Sequence, residues 1–321
     1  MWVYHRPMDG QRQRRRAFCT HELRSQPSVP PIHAIHFLKP ALSLQQHVRF
    51  YCQREVRLES SAAIVHPVPA RAAPMIEFIF GDRFKVQSCA SAAAATAFSG
   101  VVVGLQTFRR VELVMRGTLD AFSIFFQPSG LHRLFCVPMH ELTNHHYEAR
   151  AVLGASILQL EQRLGACKTF EKRVQIADHF LLGPRNAADA DGVSASANEI
   201  LRRSGRILTP DLAYEAGLSV RQFERRFRRQ VGMRPKLYAR IARFEGALDR
   251  KARSRAKSWT EVAQEFGYHD QMHLVHDFRE FSGETPTNTL THVERSYRAQ
   301  IEATLLGRTP AFVHGEPPLI L

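Results

Sequence analysis

Cysteine is scarce in this chain of 321 residues: five in all, Cys19, Cys52, Cys89, Cys136 and Cys167, with no C-x-x-C pair. An odd, scattered set excludes a disulfide framework and a zinc ribbon, and it fits isolated thiols in a reducing cytoplasm. Long apolar runs are missing too. The longest uncharged run contains "SCASAAAATAFSGVVVGL", which is mostly Ala, Ser, Thr and Gly. Such residues supply little transfer energy, so it reads as a loop entering a strand rather than a membrane span. No N-terminal stretch has the apolar core of a secretory signal. Acidic residues are also in deficit, with Asp+Glu 30 against Lys+Arg 44 and a formal net charge of +14. That imbalance attracts polyanions: nucleic acid is the first partner to consider, an anionic membrane surface the second.

What is present divides the chain. Residues 1–30 carry "RQRRR" (Arg12, Arg14, Arg15, Arg16) and then Pro27 and Pro30. No periodicity survives there, which predicts a disordered basic arm or sequence upstream of the true start. Within 31–184, "MIEFIFGDRFKV", "SGVVVGL", "RRVELVMRG" and "LDAFSIFFQPSG" are β-branched and aromatic runs broken by Gly, Pro and Asp. Short strands at close spacing predict a small antiparallel β-barrel or sandwich. "ASILQLEQRL" and "FEKRVQIADHFLL" then have apolar residues at helical spacing, a helical appendage packed on the barrel or on a second copy of it. The small, polar residues of 185–195 read as a linker. Residues 196–290 are helical, and 291–321 form a tail. The expected class is α+β multidomain: a β domain with its helical appendage, then an all-α domain.

The helical part repeats itself. "LAYEAGLSVRQFERRFRRQVGMRP" aligns with "VAQEFGYHDQMHLVHDFREFSGETP", pairing Ala213 with Ala263, Gly217 with Gly267, Phe227 with Phe278 and Pro235 with Pro286. Each copy reads as a short helix with small apolar residues, a glycine at the tight turn, and a longer helix closed by a second glycine. That is the pattern of a helix-turn-helix. At about 100° per residue, Leu274, Phe278 and Phe281 share one sector and face the core. His269, His273 and His276 fall opposite, with Met272 and Glu280. They occupy the face a recognition helix offers to the major groove. An exposed three-histidine zinc site is the alternative, though it stands on a convex surface with no evident supporting shell.

In the first copy Phe223, Phe227 and Val231 point inward, while Arg221, Gln222, Arg225 and Arg229 point out and Glu224 and Arg226 flank them. Nine basic residues (Arg221, Arg225, Arg226, Arg228, Arg229, Arg234, Lys236, Arg240, Arg243) face one acid, Glu224, between Ser219 and Arg243. The basic "RKARSRAK" of 250–257 adds to them. A charge run is usually a solvated face, but one-sided sign in a helix-turn-helix context points to nucleic acid.

On these residues the chain resembles AraC/XylS-type transcription regulators, over roughly 196–290. The resemblance rests on the doubled unit with a long linker helix, on "GLSVRQFERRFRRQVGMRPKLYARIARF" and on "VAQEFGYHDQMHLVHDFREFSGETP". It implies that both recognition helices enter successive major grooves on one face of double-stranded DNA. Base contacts would fall to Arg221, Gln222, Glu224 and Arg225, then to Gln271, Met272, His273 and His276; Arg229 is better suited to phosphate. Met272 departs from the small residue usual at its position, and His276 from the Arg common at its own, so the first unit is expected to dominate specificity. More loosely, "VVVGLQTFRRVELVMRGTLDAFSIFFQPSGLHRLFCVPMHELTN" resembles cupin-like sensor domains, which implies a small effector, dimerisation, or both.

The expectation is a cytoplasmic transcription regulator that needs no catalysis and no cofactor. Its candidate partners are double-stranded DNA, RNA polymerase, an unidentified small effector and a second copy of the chain; none is a membrane. Two rivals remain open. A cupin-type metalloenzyme would need a convergent ligand set, for which the β region supplies His66, Glu77 and Glu112, while His140, His145 and His146 sit in an apparent loop. A non-specific nucleic-acid binder would need only the charge. His66, Phe78, Phe80 and Phe125 could line a barrel interior, but aromatics at strand spacing are more often simple core.

Overall fold

The computed structural model describes residues 32–58, 63–90, 93–109, 111–183 and 191–294. The expected basic arm, much of the expected linker and most of the expected tail lie outside these residues.

The β half is two antiparallel sheets. The larger contains β1 (Ile32–Leu38), β2 (Val48–Arg57), β9 (Thr118–Phe126), β4 (Met75–Ile79), β7 (Gly100–Val103) and β10 (His146–Glu148), in that spatial order. The smaller runs β3 (Ile64–Val68), β8 (Val111–Met115), β5 (Lys85–Ser88) and β6 (Ala94–Thr96). Strand side chains alternate between faces. On the larger sheet Tyr51, Ile76, Phe78 and Phe122 share one face and are buried. They meet α4 (Ser156–Gly165) and α5 (Phe170–Leu182), the appendage expected from periodicity. Tyr51 Oη donates to Asp178 Oδ1 at 2.6 Å, and the rings of Phe122 and Phe170 are 6.0 Å apart. Arg173 of α5 grips Asp120 of β9 with two bonds, 2.6 and 2.8 Å, and lies over Phe80. The appendage thus packs on its own sheet. The opposite face of that sheet, with Met75, Glu77 and Phe125, turns toward the smaller sheet.

Three short helices in the β half were not anticipated from the sequence. They are α1 (Gly130–Phe135), α2 (Met139–Leu142) and α3 (Ala149–Leu153). His140 therefore lies on α2 and His146 opens β10, correcting the expectation of a loop at those histidines. These elements are too short to show a period, so no pattern exposed them.

The helical half begins earlier than expected. Helix α6 (Gly192–Arg202) starts inside the expected 185–195 linker, capped by Asp191, whose carboxylate accepts from Ser194 N at 3.0 Å. Small residues there reflect close packing: a Cβ on Gly192 would stand 2.9 Å from that of Ala216. Then follow α7 (Thr209–Glu215), α8 (Val220–Val231), α9 (Pro235–Arg253), α10 (Trp259–Glu265) and α11 (Gln271–Ser282), with 286–294 also helical beyond the expected boundary at 290.

One apolar cluster runs through both halves, from Phe37 and Phe50 in the strands to Phe227, Phe244 and Phe281 in the helices. Polar contacts sew the seam. Thr143 Oγ1 donates to Gly232 O at 2.8 Å, Ser129 Oγ to Ser194 Oγ at 2.8 Å, and Arg109 pairs with Glu284 at 2.6 Å. The segment between β3 and β4 adds backbone donors: Ala70 N to Phe281 O at 2.9 Å and Ala72 N to Glu245 Oε1 at 3.1 Å.

Candidate nucleic-acid interface

Helices α7 and α8 form the first helix-turn-helix and α10 and α11 the second, with α9 between them. Both turns pass through a glycine at positive φ, Gly217 (65°) and Gly267 (67°), which a residue with a Cβ adopts only under strain. Both longer helices stop at a left-handed glycine, Gly232 and Gly283. Phe223, Phe227 and Val231 in α8, and Leu274, Phe278 and Phe281 in α11, are fully buried, as the helical projection requires. Fully burying one such side chain is worth about 1.5–3 kcal/mol, enough to fix which face each helix turns outward.

The outward faces carry the residues predicted for DNA. Arg221, Gln222, Arg225 and Arg229 are exposed on α8, with Glu224 half-buried beside them. Gln271, Met272, His273 and His276 are exposed on α11, Met272 to 69% despite its apolar side chain. Two of these side chains are already partly engaged. Gln222 closes a capping box with Ser219, accepting from Ser219 N at 3.2 Å, so only its amide hydrogens remain for a base. The S-x-x-Q spacing carried that signal. Gln271 accepts from Thr260 Oγ1 at 2.8 Å, which ties the start of α11 to α10.

The basic array is smaller than the sequence count. Arg240 and Arg243 do not belong to the outward face. Arg240 binds Asp277 and Glu280, each at 2.6 Å, and Arg243 donates to Gly205 O and stacks over Tyr268. The cations of the "RKARSRAK" stretch are likewise engaged within the fold: Arg250 and Lys257 share Glu265, Arg253 pairs with Asp249, Arg255 with Glu294, and Lys251 donates to Arg255 O at 2.7 Å. These residues hold α9 to α10 and to the end of the domain. Arg221, Arg225, Arg226, Arg228, Arg229, Arg234 and Lys236 remain exposed, and none has an ion-pair partner among the described residues. Seven unpaired cations on and beside α8 can neutralise phosphates, and the arginine forks can also grip guanine.

The three histidines do not form the alternative metal cluster. Among the described residues, the side chains near enough to share an ion are His276, Asp277 and Glu280, with ligand atoms within 4.8 Å of one another. Arg240 already bridges the two carboxylates, so the cluster reads as an ion-pair network pinning α11 to α9.

The β half contains a cavity of about 60 Å³ between the two sheets. Its walls are largely apolar, with Val68, Val101, Leu113 and Phe125 among them, and its polar lining is Arg54, His66, Arg71, Glu77, Gln106 and His146. Glu77 is ion-paired with Arg54 and accepts from Ser123 Oγ at 3.0 Å. Burial, followed by the charges of Arg54 and Arg71, lowers the His66 pKa to about 3, so the ring is neutral. Of the residues suggested for a barrel interior, His66 and Phe125 line this cavity. Phe78 faces the helices, and Phe80 lies under Arg173. His66, Glu77 and Glu112 do not converge as metal ligands. His66 is paired across the sheet with Leu113, so the adjacent Glu112 points to the other face, where it binds Arg109.

Residues 212–292 match the family described as Helix-turn-helix domain, and residues 36–148 match DUF6597, a domain of unknown function. No curated protein matches the sequence. Among solved structures, ToxT from Vibrio cholerae O395 aligns over 75% of this chain and 97% of its own at 9% identity and a TM-score of 0.42. The unsaturated-fatty-acid-bound wild-type ToxT of the same species aligns over 84% and 98%, again at 9% identity and 0.42. The AraC-like transcriptional activator CuxR aligns over 64% and 78%, at 12% identity and 0.26. No helix among the described residues is long and apolar enough to cross a membrane. Doubled recognition helices, the glycine turns and the family match agree: residues 212–292 are an AraC-type helix-turn-helix domain, the DNA-binding module of a regulator whose preceding residues 36–148 form a DUF6597 domain.

Proposed function

We propose that this chain is a cytoplasmic, sequence-specific transcription regulator that works by binding and not by catalysis. Helices α8 and α11 read successive major grooves, and a small effector in the inter-sheet cavity controls how well they do so. One observation carries the reading: both recognition helices bury their apolar stripe and leave the opposite face open, with seven unpaired cations gathered on and beside the first. The linker helix supports it. Nineteen residues of α9 span about 28 Å at 1.5 Å each, a spacer of the order of one helical turn of DNA. Non-specific binding would need the charge but not a second, histidine-bearing helix held in fixed relation to the first. RNA polymerase and a second copy of the chain are the further partners of this reading.

The experiment selects tight-binding duplexes from a random pool with the full chain, then maps the two contacted segments. Contacts about one turn, roughly 34 Å, apart are expected. Inserting half a turn between them should abolish tight binding. Unchanged affinity after the insertion would mean that a single unit reads DNA.

A further inference from the structure

Gln222 stands on the outward face of α8 with its side-chain oxygen already occupied. The backbone N–H of Ser219 donates to Gln222 Oε1 at 3.2 Å, and the Ser219 hydroxyl donates to the same atom at 3.0 Å. A backbone N–H can only donate, so the oxygen, and not the amide nitrogen, must face the cap. A carbonyl oxygen has two lone pairs, and both are in use here. Gln222 N completes the box by donating to Ser219 Oγ at 3.3 Å. The side chain therefore turns an NH2 group outward: two donors and no acceptor.

The rest of that face has the same chemistry. Buried Phe223, Phe227 and Val231 fix the inward direction of α8. At about 100° per residue, Arg225 and Arg229 lie within about 20° of the opposite direction, Gln222 within about 40° and Arg221 within about 60°. An arginine carries five N–H donors and cannot accept. The two remaining side-chain acceptors of α8, Glu224 and Gln230, each lie about 120° from the centre of the face. Both are half-buried, and Gln230 donates to Asp191 at 2.6 Å. The outward face of α8 offers donors alone.

In the major groove the acceptors are O6 and N7 of guanine, O4 of thymine and N7 of adenine, while N6 of adenine and N4 of cytosine donate. A face of donors satisfies guanine twice, thymine once and cytosine not at all. Adenine offers its N7, but its amino group then meets another donor. The usual glutamine–adenine pair needs the amide oxygen to accept from N6, and here that means breaking the box. Cap contacts at a helix start are worth about fivefold in an equilibrium, and donation to guanine or thymine leaves them intact.

We propose that α8 reads keto bases: Arg221, Gln222 and Arg225 select guanine or thymine on the contacted strand, and Gln222, held by Ser219, rejects adenine. Ser219 is then a positioning residue for specificity as well as a helix cap. The rule belongs to one half-site. Helix α11 exposes Met272 and the rings of His273 and His276, and an imidazole nitrogen donates or accepts according to its tautomer. The inference rests on the reading of α8 as a helix that enters the major groove.

The test uses the full chain and the tightest duplex from the random-pool selection. Gln222→Ala locates the base pair that this side chain reads, as the position where preference flattens. There the wild-type chain should favour an orientation and not a composition. G·C and T·A, with their keto bases on one strand, should each bind about fivefold or more tighter than C·G and A·T, the lower end for a well-formed base contact. Gln222→Glu keeps the box, since glutamate is its other common member, but turns an acceptor outward, so the preferred orientation should reverse with no loss of thermal stability. Ser219→Ala frees one lone pair and should at least halve the T·A over A·T ratio at this position, leaving the positions read by Arg221 and Arg225 as they were. A wild-type preference for one A·T orientation, with both G·C orientations rejected, overturns the keto rule. No flattened position in Gln222→Ala overturns a base contact by Gln222, and no reversal in Gln222→Glu overturns the outward placing of its donors. An unchanged ratio in Ser219→Ala overturns the positioning role. Failure of the broader reading looks different: the wild-type chain would select no duplex at all.

Discussion

Replacing Arg240 with alanine should destabilise the protein far more than its position near the surface suggests. The carboxylate of Asp277 is 1% exposed; one oxygen accepts from Arg240 Nη2 at 2.6 Å, and the other has no partner. Without the guanidinium, that charge stays buried and uncompensated, which typically destabilises by 3–5 kcal/mol. Arg240 itself is 28% exposed and its second partner Glu280 32%, so water screens part of the interaction. The lower end, about 3 kcal/mol, is the expected loss, including the guanidinium contact over Phe281 at 4.9 Å. The double variant Arg240→Met with Asp277→Leu should lose much less, because neither partner is then left as a lone charge. The measurement is a double-mutant cycle on denaturant midpoints of the full chain, with Arg240→Met and Asp277→Leu as single arms. Additive single effects, or less than about 1 kcal/mol for Arg240→Ala, would refute the reasoning and make the pair ornamental.

Arg225→Ala should weaken binding to a selected duplex by about 1–3 kcal/mol and relax preference at one base pair. Arg229→Ala should instead weaken selected and random duplexes alike and lower the salt slope by about one ion; equal losses on both duplexes for Arg225→Ala would assign it to backbone as well. Glu245 gives a pH signature. Burial, only partly opposed by the Ala72 N–H and the charges of Arg49 and Arg71, raises its pKa to about 6 from an ordinary 4.5. The folded chain then holds a proton that the unfolded chain has released, so this group's contribution to stability falls as pH rises from about 4.5 through 6. Glu245→Gln should remove that component from the difference between the two pH profiles; parallel profiles would show that Glu245 titrates alike in both states.

The helical half was legible because its signals are strong and repeated. A period of 3.6 residues over twelve-residue helices, doubled with glycines in register, leaves few alternative folds, and burial of Phe223, Phe227, Phe278 and Phe281 follows from it. Partnership was not legible. Arg240 and Arg225 look alike in a charge count, yet one is tied to an acid 37 positions away and the other is not. The same holds for 250–257, whose acids come from Glu265, Asp249 and Glu294. In the β half, alternation revealed strands but not which strands stack. The cavity depends on His66, Glu77 and Gln106 arriving from separate segments, and no spacing along the chain encodes that meeting.

The end of α8 sets a condition on how such a protein can be rebuilt from parts. A Cβ placed on Gly232 would stand 2.8 Å from Thr143 Oγ1 and 3.1 Å from Met139 O, both in the β half. The glycine that stops the helix is therefore also the one residue slim enough for the neighbouring half to close against it. A chimera that transplants 196–290 onto a foreign sensor would keep the helix stop and lose the fitted surface opposite it. Transplanting 129–143 along with the helical half would carry the mating surface across, so the natural unit of exchange straddles the boundary that the sequence draws.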